Sequence, residues 1–236
     1  MKPMGIIGAM GLEVELLRDR MEDRKETVIA QRHFYSGKLG GKDVVLVCSG
    51  IGKVNAGICV QVLVDRFGVS HVINTGVAGS LDDRLDVGDL VVSTDCVWYD
   101  FDVTPLGYRP GEIPGVGTIN FPADEGLREA TLAAAAQVAP DIHAYAGRVV
   151  SGDQFIASAG QKNRITEGFG GMCCEMEGTA IAQAAWLNEV PFVVVRAISD
   201  KPGAADQVVD YNTFEEKAAR DCAAIVAHMV ANPLRA

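Results

Sequence analysis

The stretch PFVVVRAISD, residues 191–200, decides the fold class of this chain. Apolar and β-branched side chains fill it without the alternation of polar and apolar residues that a half-exposed strand shows. The runs VVLV at 44–47 and VINT at 72–75 have the same character. Such runs predict strands that are covered on both faces, as in a sheet sandwiched between helices.

Segments with helical periodicity alternate with these strands along the chain. The segment 52–67 fits a helix that ends at Gly68, and glycines 40 and 41 fit the turn of a hairpin. Further strands are predicted at 4–10, 32–39, 42–49, 70–79, 89–98 and 144–152, and further helices at 124–138, 178–189 and 211–230. Residues 99–121 are rich in proline and glycine and are predicted to form a long loop. An α/β fold accounts for this order of elements.

Composition limits the classes of function that need to be considered. The 236 residues contain no linker or repeat, which predicts a single domain over residues 1–236. A formal net charge of −10 disfavours nucleic acid and anionic membranes as partners. The six cysteines form no C-x-x-C motif and lie mostly in apolar segments, which indicates reduced thiols rather than disulfides or a zinc site. With no signal-peptide or membrane-spanning pattern, we expect a cytoplasmic protein.

Small and polar residues gather where the predicted strands end. They occur at Gly8–Met10 with Glu13, at Ser49–Gly52, at Gly76–Gly79, at Ser151–Asp153 and at Ser199–Asp200. One glycine-rich strand end is explained by turn chemistry alone, whereas five together favour a binding site. In open α/β sheets, ligands bind beyond the carboxyl ends of the strands. We therefore expect a ligand site at this edge of the sheet.

Glu13 follows the first predicted strand by a short loop. A carboxylate there either stabilises the N-terminus of a helix or takes part in chemistry. The preceding GIIGAMG has the spacing G-x-x-G-x-x-G rather than G-x-G-x-x-G, so a dinucleotide site is only weakly indicated. A carboxylate at this position also disfavours a bound phosphate.

Asp200 and Arg196 are unusual residues for the end and the middle of a buried strand. Asp200 either begins a turn or serves as a general acid. A buried arginine needs a carboxylate partner, and Glu175 is a plausible one.

Two glutamates, Glu175 and Glu177, stand one residue apart in CCEMEG. In an extended chain their side chains share one face, whereas on a helix they diverge and one of them can cap the helix N-terminus. Both arrangements remain open from the sequence. Neighbouring carboxylate acceptors are what the two hydroxyl groups of a ribose require.

Eight segments of the chain resemble the nucleoside phosphorylase superfamily, and within it the family of 5′-methylthioadenosine/S-adenosylhomocysteine nucleosidases. They are GIIGAM-x-x-EV, SGIGKVNA, NTGVAG, VGDLVVS, DVTPLGY, VSGDQFI, CCEMEGTAIA and PFVVVRAISD, in order from residue 5 to residue 200. The resemblance implies a three-layer α/β/α sandwich with a central mixed sheet and a homodimer. It also implies hydrolysis of the bond between adenine and ribose in small-molecule adenine nucleosides, with no metal and no cofactor.

The resemblance also implies a role for individual residues. Glu13 would activate the attacking water, and Asp200 would protonate the leaving adenine with help from Ser199. Glu177 and Met176 would contact the ribose. The other residues expected to bind substrate are Ala78, Gly79, Phe155, Ile156, Met10 and Tyr211.

Leu106 is a departure from the family, because relatives commonly carry an aromatic residue there that reaches across the dimer to the 5′-substituent. The segment 201–210 also has its own length and sequence. The preferred 5′-substituent therefore stays open, with 5′-deoxyadenosine and aminodeoxyfutalosine as alternatives. A phosphorylase and a non-catalytic nucleoside-binding protein are the competing functions. Glu13, Glu177 and Asp200 together argue against the latter, since binding alone needs no acid and no base.

Overall fold

The computed structural model describes residues 2–205 and 207–232, so the predicted domain 1–236 and the segment 201–210 each include positions outside the described residues. Within these described residues, ten strands form one sheet. They are β1 (Met4–Gly8), β2 (Glu22–Ile29), β3 (Arg32–Leu39), β4 (Lys42–Cys48), β5 (Val72–Ser80), β6 (Leu90–Trp98), β7 (Asn120–Pro122), β8 (Ala144–Ser151), β9 (Cys173–Glu175) and β10 (Phe192–Asp200).

In the part of the chain that the structure describes, six α-helices cover the sheet. They are α1 (Gly11–Asp19), α2 (Lys53–Phe67), α3 (Glu125–Val138), α4 (Ala159–Phe169), α5 (Gly178–Leu187) and α6 (Gln207–Ala231). Helices α1, α3 and α6 pack on one face of the sheet, and α2 and α5 pack on the other. The predicted three-layer α/β/α sandwich with a mixed sheet is confirmed.

The strand order is β10-β6-β8-β9-β5-β1-β4-β3-β2, with β7 beside β6. An additional pairing between β10 and β5 joins the first five strands of this order into a closed ring. Strand β1 runs parallel to both β4 and β5, whereas β3 runs antiparallel to β4. All nine residues of β10 are buried, as its continuous apolar run predicted.

Glycine conformation sets the ends of helix α2. Gly68 follows its last residue in the left-handed conformation, with φ of +60°, and its N–H bonds to the last turn of the helix. Gly52 precedes the first residue with φ of +97°, which a residue with a side chain rarely adopts. The predicted end of this helix at Gly68 is confirmed.

The short strand β7 was not predicted and overlaps the predicted loop 99–121, and helix α1 was considered only as one interpretation of Glu13. Two further elements were also not predicted from the sequence, β2 and α4. Strand β2 is an edge strand that pairs only with β3, and its residues are exposed apart from the half-buried Ile29, so it lacks an apolar pattern. Helix α4 buries only Ile165, and its remaining signals are the Ser158 cap, which accepts a hydrogen bond from the Gln161 N–H, and Gly170 at its end. Both elements show little of the hydrophobic periodicity on which the prediction depended.

Within residues 2–205 and 207–232, we find no helix with the length and apolar character needed to cross a membrane.

Candidate active site

A pocket of about 580 Å³, including the part open to solvent, lies at the strand ends that the sequence singled out. Its walls come from the loops after β1, β4 and β8, from the ends of β5, β9 and β10, and from helices α1 and α6. All eleven predicted site residues line it, namely Met10, Glu13, Ala78, Gly79, Phe155, Ile156, Met176, Glu177, Ser199, Asp200 and Tyr211. Pockets of this size hold small organic ligands.

Glu13 lies in the first turn of α1 and is buried at the pocket wall. Its Oε2 accepts hydrogen bonds from the backbone N–H groups of Ala9, at 2.6 Å, and Met10, at 2.9 Å. Its Oε1 accepts a longer bond of 3.3 Å from the Val77 N–H. Burial raises the pKa of Glu13, although Arg196 and these backbone donors act in the opposite direction. The carboxyl group is thus both a feature of the helix N-terminus and part of the pocket.

Glu175 is held rigidly by its neighbours. Its Oε2 lies 2.5 Å from Nη2 of Arg196, a side chain that is 1% exposed, so the predicted ion pair is confirmed. The same oxygen accepts hydrogen bonds from the N–H groups of Glu177, at 3.0 Å, and Gly178, at 2.7 Å. The Ser151 hydroxyl donates to the other oxygen. Through these bonds, Glu175 caps the start of α5 and neutralises the buried arginine.

Glu177 immediately precedes α5, and its carboxylate points away from that helix. Its Oε1 accepts a hydrogen bond of 2.8 Å from the Gly52 N–H at the N-terminus of α2. Its Oε2 lies 3.9 Å from Nη2 of Arg196. The structure therefore combines the two arrangements that the sequence left open. Strand β9 ends at Glu175, which caps α5, while Glu177 reaches across the pocket wall to α2.

Three buried carboxyl groups share one buried guanidinium at this wall, since Arg196 acts electrostatically on Glu13 and Glu177 as well as on Glu175. Burial, followed by the negative charge of Glu175, raises the pKa of Glu177 to about 7. One positive charge cannot balance three negative ones in a site with little water. The site therefore retains a carboxyl group, that of Glu177, that takes up or releases a proton near neutral pH.

We expect Glu177→Gln to change how stability depends on pH. The pKa of Glu177 is about 7, against 4.5 for an ordinary glutamate. Its stabilising contribution is therefore complete below that ordinary value and is lost as pH rises through the folded value. Glutamine does not titrate, so the free energy of unfolding of the variant should rise by about 3 kcal/mol relative to the parent between about pH 4 and about pH 8. Urea unfolding of both proteins across this range measures it, and a constant difference would contradict the raised pKa.

Asp200 lies at the end of β10, where it is buried and lines the same pocket. The Ser199 hydroxyl donates a hydrogen bond of 2.7 Å to its Oδ1. The side-chain amide of Gln207 donates one of 2.8 Å to its Oδ2. Gln207 was not predicted, because a glutamine at the start of a helix carries no distinctive sequence signal.

Apolar side chains cover the opening of the pocket. The rings of Phe155 and Tyr211 meet edge to face with centroids 5.8 Å apart, and the Tyr211 hydroxyl lies 3.6 Å from Sδ of Met10. The lining residues that the prediction did not name are Ala9, Ile51, Val77, Gln154, Cys174, Glu175 and Pro202. Ala9, Ile51 and Val77 belong to the strand-end segments already singled out, and Gln154 and Pro202 lie just beside such segments. Cys174 and Glu175 belong to CCEMEG.

Gly76 is a glycine because two charged side chains pass directly over its backbone. A Cβ at this position would lie 2.1 Å from Nη1 of Arg196 and 2.6 Å from Oε1 of Glu13. These atoms are buried and held, so a larger residue would force the arginine and the carboxylate apart. Gly76 in NTGVAG thus allows Arg196 and Glu13 to pack closely against the backbone beneath the pocket.

Among the described residues, no lysine or arginine lines the pocket. Arg196 lies beside it and is committed to Glu175, to Glu177 and to the Asn74 side-chain oxygen at 2.5 Å. The carboxyl groups of Glu13, Glu177 and Asp200 instead face the cavity. This lining suits a neutral ligand with hydroxyl and ring-nitrogen groups better than a phosphate.

A family model described as "Phosphorylase superfamily" matches residues 3–231. The 5′-methylthioadenosine/S-adenosylhomocysteine nucleosidase of Staphylococcus haemolyticus is 42% identical over 229 residues, which are 96% of this chain and 98% of the relative.

Solved structures of related proteins are also similar to this chain. The 5′-methylthioadenosine/S-adenosylhomocysteine nucleosidase of Colwellia psychrerythraea, in complex with adenine, is 38% identical and superimposes with a TM-score of 0.93 over 98% of this chain and 96% of its own. Futalosine hydrolase of Helicobacter pylori is 30% identical and superimposes with a TM-score of 0.91 over 97% of each chain.

Proposed function

The chain belongs to the phosphorylase superfamily, and we propose that it hydrolyses the N-glycosidic bond of 5′-methylthioadenosine and S-adenosylhomocysteine. The products are adenine and the 5-substituted ribose, a reaction of methionine salvage. One observation carries the proposal: the buried carboxyl groups of Glu13 and Asp200 face one largely apolar pocket. Cleavage of a glycosidic bond with a carboxyl group at each side of the sugar is a general solution to this chemistry.

Asp200 acts on the leaving group. As the bond between the ribose C1′ and the adenine N9 breaks, its electron pair passes to the purine. Asp200 donates a proton to the imidazole ring, so that adenine departs as a neutral base. Ser199 fixes the orientation of the carboxyl group through the 2.7 Å bond to Oδ1. The backbone of Ala78 and Gly79 and the side chains of Phe155 and Ile156 surround the base.

Glu13 acts on the nucleophile. Loss of adenine leaves an oxocarbenium-like sugar, to which a water oxygen forms the new bond at C1′. Glu13 accepts the proton that this water loses, which balances the proton given by Asp200. Burial raises the pKa of Glu13, and a base of higher pKa accepts a proton more readily. The Ala9 and Met10 N–H groups hold its Oε2 in place.

Glu177 and Met176 bind the ribose. The Glu177 carboxylate accepts hydrogen bonds from the ribose hydroxyl groups while its Oε1 stays bonded to the Gly52 N–H. Met176 provides an apolar surface under the sugar, and Met10 and Tyr211 line the same pocket.

Water rather than phosphate is the nucleophile. A phosphorylase must bind a multiply charged anion beside C1′, which calls for cationic donors. The described lining has the carboxylates of Glu13 and Glu177 there instead. The repulsion between these groups and phosphate favours hydrolysis.

The range of 5′-substituents is broader than methylthio and homocysteinyl groups. The similarity to futalosine hydrolase supports aminodeoxyfutalosine as a further substrate, and 5′-deoxyadenosine fits the same apolar end of the pocket. Adenine release from each of these four nucleosides, measured as kcat/KM in phosphate-free buffer, tests the proposal. Release from methylthioadenosine and adenosylhomocysteine is expected, and absence of release from both would refute it.

The protein acts as a cytoplasmic, single-domain homodimer. Val54 and Ile58 on α2 and Ile51 just before this helix form an exposed apolar stripe, with Val54 72% exposed. Leu106 is 74% exposed. Because Ile51 also lines the pocket, a second copy on this stripe would close the site. Six free cysteines fit a reducing compartment.

Sedimentation equilibrium of the unmodified protein and of Val54→Glu tests the dimer. The unmodified protein should be a dimer. The charge that Val54→Glu places on the stripe should shift the variant to monomer. The matched surface variant Val28→Glu, on edge strand β2, should stay dimeric. A monomeric unmodified protein would contradict the proposal.

A further inference from the structure

Gln207, the first residue of α6, is buried beside the pocket although the pocket lining does not include it. The residue is 3% exposed. Nε2 donates to Asp200 Oδ2 at 2.8 Å and to the Ile156 carbonyl oxygen at 2.7 Å. Oε1 accepts from the Gly203 N–H at 3.0 Å. One amide thus joins the proposed acid, the loop beside the purine and the loop after β10.

The orientation of this amide is determined by its backbone partners. The Ile156 carbonyl oxygen can only accept a hydrogen bond, so it must face the NH₂ group. The Gly203 N–H can only donate, so it must face the amide oxygen. With both ends fixed, the second hydrogen of Nε2 is directed at Asp200. No other orientation of the amide satisfies both backbone groups.

Both oxygens of Asp200 are therefore held from the side of the protein, Oδ1 by Ser199 and Oδ2 by Gln207. These two bonds fix the plane of the carboxyl group, which a single bond would leave free to turn. A carboxylate oxygen accepts more than one hydrogen bond, so the contact leaves Asp200 able to carry and transfer a proton. An N–H donor also stabilises the negative charge that remains on Asp200 after the proton has left.

We propose that Gln207 is a positioning residue, which orients Asp200 for protonation of the leaving purine and ties this orientation to the purine-facing backbone at Ile156. The inference rests on the proposed function, because it takes Asp200 as the acid. Gln207 touches neither the reacting atoms nor the sugar. Its effect should therefore appear only in reactions whose leaving group needs a proton.

Two substrates with the same sugar separate this role from a structural one. Methylthioadenosine releases adenine, which must be protonated. The 4-nitrophenyl glycoside of 5-methylthioribose releases nitrophenolate, which departs as an anion and needs no acid. Gln207→Met keeps the length of the side chain and removes its donors. We expect kcat for methylthioadenosine to fall about 10- to 100-fold with little change in KM, while kcat for the nitrophenyl glycoside stays near that of the unmodified protein.

Gln161→Met is the matched control. Gln161 also lies in the first turn of a helix, where its Oε1 accepts from the Ser158 hydroxyl at 3.0 Å, but it does not line the pocket. The Gln161→Met variant should leave kcat unchanged for both methylthioadenosine and the nitrophenyl glycoside. Gln207→Leu is the second variant if Gln207→Met does not fold. It also lacks the two N–H donors, has no oxygen to repel Asp200 or the Ile156 carbonyl, and should show the same selective loss.

Equal losses with both substrates would overturn the proposal, since they would indicate a general structural role, and so would unchanged rates with both. In an Asp200→Asn background, Gln207→Met should have no further effect on adenine release, and a further multiplicative loss there would also overturn it. Failure of the proposed function is distinct, because the unmodified protein would then release no adenine.

Discussion

Asp200→Asn is expected to lower kcat for methylthioadenosine hydrolysis by about 10²- to 10⁴-fold, which corresponds to about 3–5 kcal/mol in the activation free energy. Asparagine has nearly the same shape as aspartate but cannot give a proton to the departing purine. Its carbonyl oxygen can accept the bond from Gln207, and its NH₂ group can donate to the Ser199 hydroxyl, which is able to act as donor or acceptor. The buried network therefore stays satisfied, and the variant should fold.

Adenine release under saturating substrate measures this loss, and the melting temperature together with the binding of free adenine checks that the site is intact. The 4-nitrophenyl glycoside is the internal control, because its hydrolysis should survive the substitution. A variant that hydrolyses methylthioadenosine at the parental rate would remove Asp200 from its role as general acid.

Glu13→Gln should produce a loss of similar size, about 10²- to 10⁴-fold in kcat, but with a different dependence on the leaving group. Glutamine can still accept hydrogen bonds from the Ala9 and Met10 N–H groups through its oxygen. It cannot take a proton from the attacking water. Because the nucleophile is common to both substrates, hydrolysis of methylthioadenosine and of the nitrophenyl glycoside should fall together.

Steady-state kinetics with the two substrates separate this result from that of Asp200→Asn. KM for methylthioadenosine should change little, since Glu13 acts on water and not on the base. Unchanged kcat in the Glu13 variant, or a loss confined to the adenine substrate, would contradict its assignment as the base.

Much of the site was predictable because buried strands tolerate few polar residues. Arg196 inside an apolar run required a carboxylate partner, and Glu175 is that partner. Asp200 at the end of the same run was conspicuous for the same reason. The five polar strand ends indicated an edge of the sheet, and the pocket lies there. In each case the high cost of burying charge made the sequence informative.

Other features depended on contacts between distant segments, which local patterns do not encode. The bond between Glu177 and the Gly52 N–H joins residues 125 positions apart, so the direction of this carboxylate stayed open. Gln207 carried no signal, because its partners lie at the end of β10, in the loop after it and in the distant loop after β8. Strand β2 and helix α4 were missed since they bury few side chains. Features marked by a charged residue in an apolar segment were thus predictable from the sequence. Features that depend on contacts between distant segments were not.

The central claim is that water, activated by a carboxylate, attacks a sugar whose adenine leaves with a proton. The most direct test is to incubate the protein with methylthioadenosine with and without inorganic phosphate and to identify the sugar product. The expected result is free 5-methylthioribose and adenine in equal amounts, at the same rate in both samples. Adenine release that requires phosphate and yields 5-methylthioribose 1-phosphate would contradict the claim.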